Sequence, residues 1–414
     1  MTAVVHAGQV RTGRRSLLRP PRPSQRRPLR RAPSGPTRSL EQAYDPRSNS
    51  LDLLRLLLAA AVAVAHGCQI AWGWQPTLGH TQVGALAVDG FFVLSGYLVT
   101  ISFLRLGSPW RFAWHRFLRI MPAFWVCLLL TAFVVAPILS VLSGGGVADA
   151  LGGEQPSYRY VLDNGALFMR TFDVGGLPAG DVSPGVVNGA LWTLWFEACC
   201  YALVGAAGVA GLLRGRGRLA VVAVAVSCGI ALAIQDARGA ELPGDLYLRL
   251  VFLFALGALG HLYADLLPVR GSWALAALAV TGAALALAGD YRPWAGAAFA
   301  YLCLWAVVST PWLRHRPRRD LSYGLYVYHW PVQVLLVTAG AAALGPAYLP
   351  LAVGVPLLAA LASWTLVESP ALARKGRPAP RFRRVRPARA AAARSWRRAS
   401  GRRTSRRSRR SGCG

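Results

Sequence analysis

Apolar positions between residues 51 and 370 fall in long runs rather than in stripes. Such runs show neither the two-residue alternation of a half-buried strand nor the single apolar face of a surface helix. A hydrocarbon layer of ~30 Å is crossed by ~20 apolar residues in helical form. On that basis the runs predict ten spans, at about 51–70, 84–104, 119–139, 187–212, 219–236, 247–267, 271–289, 293–312, 321–340 and 348–368. Pro268 and Arg270 separate the sixth from the seventh. The interval 140–187 reads as one long Gly-rich, mildly acidic connection, of a length that is often functional. The predicted fold class is an all-α integral membrane protein of about ten transmembrane helices.

Composition first contradicts this reading and then supports it. The 414 residues hold 46 Lys+Arg against 17 Asp+Glu, a net charge of +29, with 54% hydrophobic residues. A charge of that size usually points to a polyanion, and that apolar content to a membrane. Residues 1–50 hold eleven Arg, Glu41 and Asp45; residues 371–414 hold sixteen Arg, Lys375 and no acid. The two ends therefore carry +26 of the +29. The chain divides into a disordered Arg/Pro-rich tail (1–50), a ten-helix domain (51–370) and a disordered Arg-rich tail (371–414). A soluble globular enzyme and a disulfide-stapled secreted domain are excluded. Six of the seven cysteines lie in apolar runs without metal-ligand spacing, so they read as small buried groups, and no metal is predicted.

Basic residues collect on the cytoplasmic side of a membrane. With residues 1–50 inside, ten spans return residues 371–414 to the same side. The inside loops then carry twelve Arg, among them Arg105, Arg111, Arg116, Arg119, Arg214, Arg314, Arg316 and Arg318. The outside loops carry four, Arg159, Arg170, Arg238 and Arg292, with most of the acids, including Asp149, Glu154, Asp181 and Glu241. Both termini are thus predicted to be cytoplasmic, in a multi-pass protein of a bacterial plasma membrane. The tails read as contacts to an anionic leaflet and as topology signals, with no nucleic-acid partner expected.

Ionisable groups inside spans are costly and point to function. Arg55 and His66 in the first span are eleven residues apart, which puts them on one helix face about 16 Å apart along the axis. The pair marks the ends of a path, or else Arg55 snorkels to headgroups and His66 caps the interface. The second span holds Asp89 and Ser95, with Gly90 and Gly96 suited to close helix packing. Arg116 and Arg119, three apart at the cytoplasmic start of the third span, suit phosphate recognition or plain anchoring. Glu197 sits about ten residues inside the fourth span with no sequence-local cation. His329 lies in the aromatic stretch Tyr326–Pro331, where Pro331 would bend the helix, and Glu368 lies at the edge of the tenth.

In this order the pieces resemble the membrane acyltransferase family 3, the bacterial O-acyltransferases of glycans and antibiotics. The resemblance covers about 51–370. It rests on Arg55-x10-His66, Phe91-Phe92-x-Leu-Ser95-Gly-Tyr97, Arg116-x-x-Arg119-Ile-x-Pro122, Trp192-x-Leu-x-x-Glu197, Tyr326-x-x-His329-Trp330-Pro331 and Glu368-x-Pro370. Thr193 and Cys200 are mild departures. The resemblance implies transfer of an acyl group, commonly acetyl, from cytoplasmic acyl-CoA as co-substrate to a hydroxyl on a glycan or small metabolite. No bound cofactor is implied. His66 and Glu197 become candidate catalytic residues, and Arg55, Arg116 and Arg119 candidate acyl-CoA contacts. Asp89, Ser95, Trp192, Tyr326 and His329 become supporting candidates. His66 would act as general base or as a covalent acyl carrier; Glu197 would orient it, hold the acceptor or relay a proton. A secondary transporter without acyl-transfer chemistry is the alternative, although its usual internal repeat is not evident.

Overall fold

The computed structural model describes residues 38–152, 156–178, 182–239, 244–310 and 319–376. Of the predicted tails, residues 1–37 and 377–414 lie outside these, as do Arg314, Arg316, Arg318, Glu154, Asp181, Glu241 and Cys413. Helices form at all ten predicted positions: α2 (Leu51–Trp72), α3 (Val83–Leu106), α4 (Pro109–Leu130), α8 (Thr193–Val209), α9 (Arg218–Arg238), α10 (Asp245–Leu262), α11 (Gly271–Leu287), α12 (Arg292–Ser309), α13 (Ser322–Thr338) and α14 (Tyr348–Ser363). Six helical stretches, based on α2, α3, α4, α9, α10 and α14, are long and apolar enough to cross a membrane. Of the other four, α8 and α11 are shorter apolar helices of 17 residues, and α12 and α13 are helices of 18 and 17 residues. A two-residue hairpin, β1 (Thr77–Leu78) with β2 (Thr81–Gln82), joins α2 to α3.

Three boundaries differ from the sequence expectation. First, α4 begins ten residues early, because Pro109 opens the helix and the Ser108 hydroxyl accepts from Arg111 N. It runs on through a π-turn at Thr131–Val135 into α5 (Ala136–Leu142), so Arg116 and Arg119 lie within the helix rather than at its start. Second, the long connection folds into α6 (Val147–Gly152) and α7 (Ser157–Asn164), with the Ser157 hydroxyl donating to Ala132 O and Ala150 O. Third, the segment just before α2 is built into the fold. Ser39 caps α1 (Leu40–Ala43), and Leu40 N and Glu41 N donate to Leu267 O and Ala264 O.

Outward faces are as apolar as the interior. Leu219, Val226 and Ile230 of α9 and Leu275 and Leu278 of α11 are exposed, as on a surface meant for lipid rather than water. Small residues let helices pack closely inside. A methyl group on Gly96 of α3 would run into the carbonyl oxygen of Phe254 in α10, and one on Gly257 of α10 into that of Val93 in α3. The predicted role of Gly96 is therefore met, with Gly257 as its reciprocal partner.

Helix α13 continues through Pro331. Proline has no N–H to give the carbonyl four residues back, here Val327 O. Asn188 Nδ2 donates to that oxygen at 3.1 Å and the Cys127 thiol at 3.2 Å. The break is filled from outside the helix, which keeps His329 on a continuous, buried element.

The Gly96 contact is testable. Gly96→Val should destabilise the protein by about 3 kcal/mol, the upper range for overpacking. Gly282→Ala, where nothing lies within 4 Å, should leave stability unchanged or slightly raised. Thermal unfolding of both variants in detergent reads the difference, and equal melting would contradict the close packing.

Candidate functional site

His66 sits eleven residues beyond Arg55 on α2 and meets His329 of α13. His66 Nδ1 and His329 Nε2 are 2.8 Å apart, the rings lie nearly parallel at 5.1 Å, and Trp330 packs edge-on against His66 at 4.7 Å. The other nitrogen of His329, Nδ1, lies 3.2 Å from Leu325 O. A carbonyl only accepts, so Nδ1 of His329 carries the proton and its Nε2 is an acceptor. His66 must then donate from Nδ1, which leaves the lone pair of its Nε2 free. The chain of bonds selects the tautomer that a general base needs.

Gln333, one turn beyond His329, donates through Nε2 to Ala63 O at 2.7 Å and Ala352 O at 2.8 Å. That ties α13 to α2 and α14 beside the histidine pair. The Tyr326 hydroxyl lies 2.5 Å from Thr193 Oγ1, and its ring packs against His329. The Thr193 departure from the resembled motif thus keeps a hydroxyl where one is used.

Glu197 of α8 has different partners. Its Oε1 accepts from Ser95 Oγ at 2.9 Å and from Tyr201 Oη at 2.6 Å. Glu197, Ser95, Arg55 and Tyr326 line one small cavity of about 40 Å³. The partner of His66 is therefore His329, and Glu197 belongs to a neighbouring polar cluster. Trp192, just before α8, packs edge-on against Phe196 and does not line this cavity.

Toward the start of α2, Arg55 Nη1 donates to Asp320 Oδ2 at 3.1 Å and Arg119 Nη2 donates to the same oxygen at 2.5 Å. The far oxygen of Asp320 accepts from Ser322 Oγ at 2.6 Å. Burial opposes the charged form of Asp320, but the Arg119 and Arg55 guanidiniums and the Ser322 bonds outweigh it and hold the carboxyl well below the usual range. Arg119 also approaches Glu368 Oε2 at 3.9 Å, while Ser363 Oγ donates to Glu368 Oε1 at 3.1 Å. Glu368 is buried, in a π-turn after α14 at the end of the tenth helix.

Arg116 does not share these partners. Its guanidinium lies 5.5 Å from the Tyr201 ring and 5.9 Å from Phe112, and its Nε is enclosed with no acceptor among the described residues. It faces an apolar groove of about 800 Å³ between α4 and α8, lined in part by Phe117, Met121 and Gly205. The two arginines expected to act as a pair diverge, because Asp320 and Glu368 draw only Arg119 inward.

Asp89 stands apart from the small cavity. It is fully buried and accepts from Arg249 Nε at 3.0 Å, Arg292 Nε at 2.8 Å and Tyr291 Oη at 3.0 Å. Arg292 Nη1 also donates to Asp290 Oδ1 at 2.8 Å. With every near group paired, this cluster clamps α3, α10 and α12 together.

Sequence reasoning missed Asp320, Asn188, Arg249 and Gln333. The signal for Asp320 was an acid set directly before a span in an otherwise basic stretch, and for Arg249 a cation in the first turn of a span. Asn188 and Gln333 had no signal beyond being amides in apolar runs.

Asp320→Asn should leave two guanidiniums sharing no carboxylate and lower stability by about 3 kcal/mol, as for a broken buried ion pair. The folded carboxyl titrates below its unfolded value of ~3.9. Its contribution is therefore complete above about pH 5 and lost as pH falls toward the lowered folded value. The gap in melting temperature between wild type and variant should hold from pH 8 to 5 and narrow below; a gap constant to pH 3 would refute the assignment.

Three comparisons bear on this arrangement. The sequence profile of a family described as an acyltransferase domain matches residues 48–367. The chain is similar to a protein named O-acetyl transferase from Shigella phage Sf6, 29% identical over 343 residues, which is 79% of this chain and 97% of that one. It is 30% identical over 354 residues to nodulation protein 10 of Rhizobium leguminosarum bv. viciae, covering 78% of this chain and 93% of the relative. A shorter match, 31% identical over 125 residues, covers 30% of this chain and 34% of an exopolysaccharide production protein, ExoZ, of Rhizobium meliloti (strain 1021). No solved structure matches the chain.

Proposed function

Because the chain belongs to the acyltransferase domain family that covers residues 48–367, we propose that it moves an acetyl group from cytoplasmic acyl-CoA to a hydroxyl of an envelope glycan. The observation that carries this is the His66–His329 pair, which leaves His66 Nε2 as a free acceptor on the helix that bears Arg55 at its other end. The glycan acceptor is drawn from the relatives, one named for O-acetyl transfer and one for exopolysaccharide production. A small hydroxyl-bearing metabolite is the second acceptor class. The family membership leaves the transporter alternative without support.

Charge assigns the two ends of the site. Arg55, Arg119 and Asp320 lie at the end of the spans to which the sequence assigns the Arg-rich loops, so the cluster is read as the cytoplasmic, donor end. Arg116 has no carboxylate partner among the described residues and is the first candidate for a donor phosphate. Arg55 and Arg119 are bound to Asp320 and add positive field with N–H groups to spare. Ten spans would leave both basic tails on this same side, in contact with the anionic leaflet.

At the other end a hydroxyl loses its proton to His66 Nε2 as its oxygen attacks the acyl carbon. The Nδ1–H bond to His329 steadies the imidazolium that forms. The C–S bond then breaks, and the leaving thiolate takes the proton back. Nε2 can instead take the acyl group itself and pass it on, so direct transfer and an acyl-His66 intermediate use the same nitrogen. Glu197, bonded to Ser95 and Tyr201, lies along the cavity between the two ends and stabilises charge there.

His66→Ala should abolish acetyl transfer from acetyl-CoA by about 10²–10⁴-fold, the range for removing a general base, while the protein inserts normally and still binds CoA. Arg119→Ala should weaken CoA binding. Transfer near the wild-type rate in His66→Ala would overturn the assignment, and trapping of acetyl on His66 by rapid acid quench separates the two routes.

A further inference from the structure

Lys375 is the single lysine among the 46 basic residues of the chain. It stands just past the tenth helix. The π-turn at Trp364–Glu368 leads into α15 (Ser369–Ala373), whose Ala371 is buried, and then into a short turn at Arg374–Gly376. There His115 Nε2 donates to Lys375 O at 3.3 Å, which pins the lysine backbone to α4. Positions 115, 116 and 119 of a helix fall within about 100° of one another. The lysine side chain therefore starts from the face of α4 that bears Arg116 and Arg119. Its ammonium lies in the field of both guanidiniums and of Asp320.

Like charges gathered in a partly buried place repel, and the arrangement is stable only with an anion among them. The described residues do not supply enough negative charge. Asp320 is taken by Arg55 and Arg119, and Glu368 is approached by Arg119. Among the described residues, neither Arg116 nor Lys375 has an ion-pair partner. Arg116 Nε is in addition enclosed without an acceptor, and enclosed donors are almost always paired. An orphaned guanidinium N–H beside an ammonium with three rotatable donors asks for an anion with several acceptor oxygens. A phosphate group has that form.

We propose that Lys375 is a specificity-determining residue that forms, with Arg116, a phosphate subsite built from α4 and the segment after α15. The proposal rests on the acyl-transfer reading and deepens it: the subsite takes a phosphate of the nucleotide end of acyl-CoA. Lys375 touches no reacting atom, because the thioester is used at His66, toward the other end of α2. It acts on capture of the donor and on the choice between acyl-CoA and acyl-pantetheine, which carries the same thioester and no phosphate. The positive charge is what the subsite uses, so arginine can stand in for Lys375 and methionine cannot.

The test uses the full-length protein in nanodiscs of zwitterionic lipid, so that no anionic headgroup competes for the subsite. Calorimetry reads the binding of CoA and of pantetheine, and mass spectrometry reads acetyl transfer from acetyl-CoA. Lys375→Met should weaken CoA binding and raise KM for acetyl-CoA about tenfold, the loss of one charged hydrogen bond, with kcat little changed. Pantetheine binding should not change, and Lys375→Arg should stay within about threefold of wild type. Reductive ¹³C-methylation labels the one lysine side chain and keeps its charge. In wild type that NMR signal should shift with CoA and not with pantetheine, a reading that does not depend on any variant folding. CoA affinity unchanged in Lys375→Met, an equal loss for pantetheine, or a lysine signal indifferent to CoA overturns the subsite. If His66→Ala still abolishes transfer in that case, the acyl-transfer reading stands. CoA bound through Lys375 with no acetyl transferred overturns that reading and keeps the phosphate subsite. Acetyl-CoA neither bound nor consumed overturns both.

Discussion

A charge carried into an apolar interior must be met by its opposite, and here two aspartates meet that requirement for four arginines. Asp320 holds Arg55 of α2 and Arg119 of α4 from the start of α13. Asp89 of α3 holds Arg249 of α10 and Arg292 of α12. Each carboxylate joins three elements distant in sequence; without Asp320, Arg119 would keep only the longer approach to Glu368, and without Asp89, Arg292 would keep only Asp290, while Arg55 and Arg249 would lose their carboxylate. Along the α2–α3 pair, Gly90 packs on Leu58 and Gly84 on Ala65 beside His66, so the Asp89 pairing lies at a level between Arg55 and His66. Both ion-pair clusters thus brace the Arg55 side of the histidine pair.

The same logic governs the backbone. Without an N–H at position 331, the Val327 carbonyl would be an orphan in a buried helix, and such groups carry a penalty in an apolar medium. Asn188 and Cys127 fill it, and Gln333 spends its amide on carbonyls of α2 and α14. These bonds make little difference to any one helix. Their effect is to fix the depth and rotation of α13 relative to α2, which sets the 2.8 Å approach of His66 to His329. Both amides serve the geometry of the site without touching its reacting atoms.

Legibility in the sequence followed the range of the interaction. Apolar runs are local, so helices appear at all ten predicted positions, though α4 starts early because a proline and a serine cap outweigh the polar residues that follow. The eleven-residue spacing of Arg55 and His66 is also local, and both lie on α2 facing the interior. What the spacing could not convey is partnership. Arg55 finds Asp320 across 265 positions and His66 finds His329 across 263. Arg116 and Arg119 look equivalent at three apart, yet one stacks on Tyr201 and the other is drawn to Asp320 and Glu368. Asp320 went unread because its basic neighbours dominate the loop. The described end of the first tail, 38–50, went unread because short polar segments dock through backbone bonds that leave no periodic trace.

The separation of charge from chemistry along α2 constrains the donor itself. Arg55 and His66 are held by a rigid helix about 16 Å apart along its axis, with Glu197, Ser95 and Tyr326 around the intervening cavity. A donor gripped through phosphates at the arginine end must therefore carry its reactive carbonyl on a long, flexible, uncharged arm. Acyl-CoA has that form, with its pyrophosphate and 3′-phosphate remote from the thioester. An acyl phosphate does not, because its charge adjoins the acyl carbon and would have to leave the arginines to reach His66. Such a move would bring an unpaired phosphate beside buried aromatic rings, at the high energy of any uncompensated charge in an apolar site. Within the proposed acyl transfer, the spacing of two residues on one helix, together with the aspartate that anchors one of them, is the argument for proposing a thioester of CoA over a small activated acyl donor.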